Sequence, residues 1–142
     1  MKKYKIGYTT GVFDMFHIGH LNILKRAKEQ CEYLIVGVST DEVVEQYKHK
    51  TPVIPYEERM AIVSELKCVD RVVPQESMDK LSAWEKYKYN ALFHGTDWKN
   101  SSMYNEIEEQ LNKVGVDVVF IPHTDGVSST LLTNRFQEKA EE

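Results

Sequence analysis

The stretch that decides the fold is Thr9-Thr10-Gly11-Val12-Phe13-Asp14-Met15-Phe16-His17-Ile18-Gly19-His20. It ends a β-rich run, Tyr4 to Thr10, and opens a helix-patterned stretch, Gly19 to Gln30, in which Leu21, Leu24 and Ala27 share a face. A strand that passes through a glycine turn into a helix presents free backbone N–H groups and the positive end of the helix dipole, and so favours an anion. Gly11 permits a tight turn, and Gly19 lets a ligand approach without a Cβ in the way. His17 and His20, three apart at a helix start, can project toward one phosphate group. Imidazole suits that task because it donates a hydrogen bond in either protonation state. Spacing alone leaves three readings of the pair open: a phosphate clamp, a solvent-facing decoration, or half of a metal site.

Working outward, short apolar runs alternate with helical patterns, as in an α/β parallel sheet with helices on both faces. Tyr33 to Val38 reads as a second, buried strand, followed by Arg71 to Val73, Ala91 to His94 and Val116 to Ile121. Helices are expected over Gly19 to Gln30, Pro55 to Leu66, Ser77 to Tyr87, Ser102 to Val114 and Val127 to Glu138, with Gly115 suited to stop the fourth. The polar segment Glu45 to Thr51 reads as a mobile surface loop, and loops at sheet ends commonly carry sites. The 142 residues make one domain, 1–142, with no repeat and no low-complexity segment.

Composition narrows the function classes. Eighteen Lys and Arg against 22 Asp and Glu give a net charge of -4, which disfavours nucleic acid as the main partner. A local pocket for a small anion is compatible with that balance. No apolar run approaches the length needed to span a bilayer, and the first residues lack the apolar stretch of a secretory signal. Cys31 and Cys68 have no metal-type or CxxC spacing and read as free thiols of a reducing compartment. The expectation is a cytoplasmic protein without membrane insertion.

A second constellation, Pro122-His123-Thr124-Asp125-Gly126-Val127-Ser128-Ser129-Thr130, lies between the last strand and the last helix. Gly126 can supply a left-handed turn, and three consecutive hydroxyls at a helix start can donate to phosphate oxygens. A plain N-cap needs only one of them. Two strand-to-helix anion sites in one chain suggest a polyphosphate ligand.

Together, Gly11-Val12-Phe13-Asp14, His17-Ile18-Gly19-His20 and Gly126-Val127-Ser128-Ser129-Thr130 resemble the HxGH nucleotidyltransferase superfamily, and within it the small glycerol-3-phosphate cytidylyltransferases. The resemblance runs from Ile6 to about Arg135 and takes in Ser39-Thr40-Asp41-Glu42, Tyr56-Glu57-Glu58-Arg59 and Gly95-Thr96-Asp97-Trp98. It implies a Rossmann-like, doubly wound parallel sheet of order 3-2-1-4-5 with nucleotide at its carboxyl edge. It also implies in-line attack of an acceptor phosphate on the α-phosphorus of CTP, with Mg²⁺, no covalent intermediate, and a homodimeric protein. The CDP-alcohol formed would feed cell-surface polymer or capsule synthesis.

On that resemblance, His17 and His20 stabilise the charge developing on the reacting phosphates, and Lys48 and Lys50 stand beside them. Thr10, Gly11, Val12, Phe13, Asp14 and Gly19 surround the nucleotide, and Ser128, Ser129 and Thr130 hold its β- and γ-phosphates. Arg59 is either a bidentate phosphate ligand or half of a surface ion pair. Asp14 orients His17, bears on Mg²⁺ indirectly, or caps a turn. Asp97 and Trp98 face the acceptor, unless Trp98 only closes the core. The family's last turn commonly reads Arg–Thr–Glu–Gly, where this chain has His123-Thr124-Asp125-Gly126, and a histidine cannot reproduce the arginine fork. Adenylyl transfer, a different phosphorylated acceptor, and a non-catalytic nucleotide-binding module are the alternatives.

Overall fold

Five parallel strands line up in the order β3-β2-β1-β4-β5. The structure is a computed structural model and describes residues 2–95 and 102–122. Along the chain the elements are β1 (Tyr4–Gly11), α1 (Ile18–Gln30), β2 (Cys31–Ser39), α2 (Asp41–Lys48), α3 (Tyr56–Ser64), β3 (Arg71–Gln75), α4 (Lys80–Tyr87), β4 (Ala91–Gly95), α5 (Ser102–Lys113) and β5 (Asp117–Ile121). The sheet order is the one the resemblance implies.

β1 sits at the centre because it is buried on both faces and pairs on both edges, Thr9 with Val36 of β2 and with Phe93 of β4. One sheet face, carrying Leu34, Val36, Val38 and Phe93, packs on Leu24 and Ala27 of α1 and Val63 of α3. The other, carrying Tyr8, Ile35, Val73 and Leu92, packs on Tyr104 and Leu111 of α5, with Leu81 and Trp84 of α4 against its margin. Successive strands move outward from β1 to β3, then the chain returns to place β4 on the other side of β1. That reversal opens a crevice at the carboxyl ends of β1 and β4, the position where doubly wound sheets bind ligands. β3 is an edge strand, which is why it tolerates Pro74.

Most boundaries fall within two residues of expectation, and two differ by three or more. Glu45 to Lys48, expected in a loop, belongs to α2. Thr40 caps that helix by accepting from the Val43 N–H, Asp41 and Glu42 complement its dipole, and His49 closes it in the left-handed conformation at φ 55°. Helix α4 starts at Lys80 instead of Ser77, because Asp79 Oδ1 accepts from the N–H groups of Leu81 and Ser82. Gly115, at φ 84°, ends α5 as expected. The helix expected over Val127 to Glu138 lies outside the described residues. Cys31 and Cys68 are free thiols, and Cys31 is buried against the α1 face. Among the described residues no helix is long and apolar enough to cross a membrane.

Candidate active site

At the carboxyl end of β1 the chain turns sharply, with Phe13 and Met15 both in the left-handed region at φ 56° and 48°. The turn folds the Phe13 ring back over Gly11, where an added Cβ would lie 2.9 Å from Phe13 Cζ. Phe13 is buried in the α1 face of the core, so its side chain is turned away from the carboxyl edge of the sheet. Strained non-glycine residues of this kind persist where surrounding packing enforces them, commonly at functional sites.

His17 is the N-cap of α1 and His20 its third residue, and the two cap one another. His17 Nδ1 accepts from Gly19 N–H at 3.0 Å, and His20 Nδ1 accepts from His17 N–H at 3.2 Å. This is the Ser/Thr–x–x–Glu capping box built from imidazoles. An Nδ1 that accepts a hydrogen bond carries no proton, so each neutral ring bears its hydrogen on Nε2. His17 Nε2 is buried and has no hydrogen-bond partner among the described residues. A buried unsatisfied donor costs about 1–3 kcal/mol, and here it stands at a helix N-terminus, where an anion would satisfy it.

The rings stack at 3.9 Å between centroids, and Phe13 and Phe16 enclose His20 at 5.5 and 5.2 Å. Burial, with smaller contributions from the His17 ring and Lys48 and against a partial opposition from Asp14, holds the His20 pKa down at about 4. Burial also lowers His17.

Asp14 caps a turn in another segment: its two carboxylate oxygens accept from the N–H groups of Val53 and Ile54, each at 2.8 Å. Arg59 is 1% exposed. Its Nε donates to Ile54 O at 2.8 Å, Nη1 to Val12 O at 2.8 Å and Ser39 O at 2.7 Å, and Nη2 to Asp41 Oδ1 at 2.6 Å. The guanidinium expected to grip phosphate or a surface carboxylate near Glu58 is thus engaged inside the protein, with Asp41 as its ion-pair partner.

Lys48 ends α2 and Lys50 follows it by two residues. Lys48 is exposed as a residue, yet partial burial of its ammonium, together with Lys50, lowers its pKa. It borders a cavity of about 110 Å³ at the carboxyl edge, lined also by Thr10, Ser39, Val44, Gln75, Met78 and His94.

Two residues beside this cavity were not singled out from sequence. His94 is the penultimate residue of β4 and lines the cavity, and its Nδ1 accepts from Gly95 N–H at 3.0 Å. Its place near the end of an apolar strand was the available signal. Lys80 is 3% exposed and donates through Nζ to Thr10 Oγ1 at 2.6 Å, and burial lowers its pKa to about 7. A lysine amid polar residues gives no sequence sign of such burial. Asp97, Trp98, His123, Thr124, Gly126, Ser128, Ser129 and Thr130 lie outside the described residues. Among the described residues no group of three or more His, Cys, Asp or Glu could hold a metal ion.

Fold and site together define an α/β domain with a histidine-capped strand-to-helix turn at the carboxyl edge of its sheet. Known proteins narrow that class. A family model described as cytidylyltransferase-like matches residues 8–135, and the chain belongs to this family. A glycerol-3-phosphate cytidylyltransferase of Bacillus spizizenii is 37% identical over 123 residues, covering 86% of this chain and 89% of the relative. Another, from Staphylococcus aureus, is 33% identical over 132 residues, covering 92% and 94%. The crystal structure of a lipopolysaccharide core biosynthesis protein from Thermoplasma volcanium superposes with a TM-score of 0.71 at 30% identity, over 85% of this chain and 97% of that one.

Proposed function

We propose that this protein transfers the cytidylyl group of CTP to glycerol 3-phosphate, releasing pyrophosphate and forming a CDP-alcohol. The observation that carries the chemistry is the reciprocal cap of His17 and His20, which holds both imidazoles with Nδ1 occupied and Nε2 as the donor. The relatives named for this activity supply the substrates.

A phosphate oxygen of the acceptor attacks the α-phosphorus in line, one P–O bond forms, and the bond to the pyrophosphate oxygen breaks. The nucleophile is already ionised, so no general base is needed. The protein's contribution is to hold two polyanions in line and to donate to oxygens where negative charge grows. Preorganised donors of that kind contribute about 3 kcal/mol each, and orientation about 7–11 kcal/mol at its limit. His17 and His20 fill the first role. Lys48 and Lys50 offset the repulsion between the two phosphates. Mg²⁺ keeps several waters and binds mainly through substrate phosphates, so it would arrive with the nucleotide and neutralise its charge, without a cage of protein carboxylates.

On the same reading the protein works as a homodimer in the cytoplasm and supplies an activated alcohol for a cell-surface polymer. The test is pyrophosphate release with Mg²⁺, crossing CTP, ATP, UTP and GTP against glycerol 3-phosphate and other phosphorylated alcohols and sugars. Release confined to CTP with glycerol 3-phosphate is expected. Release with another pair, which His123 in place of the family arginine makes worth including, would reassign the substrates. No release with any pair would leave a nucleotide-binding module.

A further inference from the structure

Residues 49–55 join α2 to α3 without helix or strand, and they begin beside Lys48 and contain Lys50. Ordering such a segment costs about 1–2 kcal/mol per residue in backbone entropy, so specific bonds must hold it. Thr51 Oγ1 donates to Glu45 Oε1 at 3.2 Å on the exposed side, and the bonds that hold Val53 and Ile54 converge on two further side chains. Asp14 takes the N–H groups of Val53 and Ile54, and Arg59 takes the carbonyl of Ile54, so Ile54 is gripped through both of its backbone polar groups. Neither side chain belongs to the segment.

Asp14 lies three residues before His17, in the turn that leads into the histidine cap. Arg59 reaches that same turn through Val12 O, and the turn from β2 into α2 through Ser39 O and Asp41. Asp41 in turn accepts from Tyr56 N–H at 3.4 Å. The histidine turn, the start of α2 and the lysine segment are therefore tied to one another by the same two residues.

We infer that Asp14 and Arg59 are positioning residues that fix the Lys48–Lys50 segment against the His17–His20 cap, and that neither is a phosphate or metal ligand. The inference rests on the reading of Lys48 and Lys50 as phosphate-binding groups given above. Four of the five N–H donors of Arg59 are spent on protein acceptors, which leaves no fork for a phosphate, and the two oxygens of Asp14 are each bonded to a backbone N–H that holds the carboxylate on Val53 and Ile54.

Asp14→Asn tests this directly. An asparagine can accept one of the two N–H groups but opposes the other with an NH₂. Released from its clamp, the segment should be cut by trypsin after Lys48 and Lys50 about tenfold faster in the native protein, a rate that follows the population of the opened segment. With CTP and glycerol 3-phosphate, kcat should fall about 10- to 100-fold, the effect of a displacement near 1 Å, with KM for CTP within about threefold. In a Lys48→Ala/Lys50→Ala background the same substitution should cost no more than about twofold, because the groups it positions are gone. Asp14→Glu keeps the charge on a longer arm and should fall between wild type and Asp14→Asn in both assays.

Equal losses with and without the lysines would overturn the inference, as would a raised Mg²⁺ requirement in Asp14→Asn, or an unchanged cleavage rate in both variants. If the unmodified protein releases no pyrophosphate with any acceptor, the proposed reaction fails, while the cleavage rates still decide whether the clamp exists.

Discussion

The imidazoles of His17 and His20 stack face to face, 3.9 Å apart and 22° from parallel, while both cap the N-terminus of α1. Structure and chemistry share these two residues, and the sharing can be separated. Asparagine is a good N-cap but has no group at the position of Nε2. His17→Asn should therefore keep thermal stability near wild type and lose about 10²–10³ in kcat, the usual cost of one preorganised donor. His17→Ala should lose the same activity and in addition about 1 kcal/mol of stability with the cap. Differential scanning calorimetry beside pyrophosphate release separates the two effects. An active His17→Asn would place the chemistry elsewhere.

Stacked imidazoles also set a pH dependence. Burial and mutual repulsion hold the His20 pKa near 4, and burial lowers His17 as well, whereas an unfolded histidine titrates near 6.5. Between those values the unfolded chain binds more protons than the folded one, so stability rises with pH across the window. This part of the stability is intact above about pH 6.5 and is lost as pH falls toward 4. The melting temperature should drop over that range, and His20→Gln should flatten the drop. Equal slopes in the two proteins would refute the coupling.

These local bonds mark where sequence reading reaches its limit. Strands buried on both faces, such as Leu34 to Val38, announce themselves as unbroken apolar runs, and the paired histidines mark the strand-to-helix turn at which the candidate site lies. Their reciprocal cap does not, because N-caps are sought among Ser, Thr, Asp and Asn. Helix α2 buries only Val43 and Val44, too few apolar residues to show a period, although Thr40-Asp41-Glu42 is a legible start. Arg59 is illegible for a different reason. Three of its four bonds go to backbone carbonyls, of Val12, Ser39 and Ile54, and no sequence pattern records which carbonyls a fold leaves free.

Gly11 links the turn to the histidines. An added Cβ would press on the Phe13 ring at 2.9–3.3 Å, and that ring is 7% exposed, so it cannot swing away into solvent. Gly11→Ala should cost about 1–3 kcal/mol, as overpacking does, lowering the melting temperature by roughly 2–4 °C per kcal/mol for a domain of this size. Because Phe13 meets His20 edge-on at 5.5 Å, the displaced ring should also tilt His20 and reduce kcat more than KM. A variant that melts early yet turns over normally would show that the ring contact does not orient the imidazole.

Lys80 carries the opposite proton linkage to an ordinary surface lysine. Its pKa of about 7 against about 10.4 unfolded means that the folded protein binds fewer protons between those values, so stability rises with pH from neutral to alkaline. Lys80→Met removes the buried cation while keeping much of the side-chain volume. The variant should lose the rise in melting temperature between pH 7 and 9 and be at least as stable as wild type at pH 7, since well-packed apolar replacements of buried charges are commonly neutral or stabilising. Activity should move the other way. Thr10, which lines the cavity, loses the 2.6 Å partner of its Oγ1, and the edge that must attract two phosphorylated substrates loses a positive group. A positive cleft raises the encounter rate of anionic substrates by about 10–10³, so the second-order rate constant at pH 7 should fall about tenfold. Stability gained with activity lost would mark Lys80 as a residue retained for the reaction at the expense of the fold, whereas a variant that loses both would show that the lysine supports the packing around Thr10.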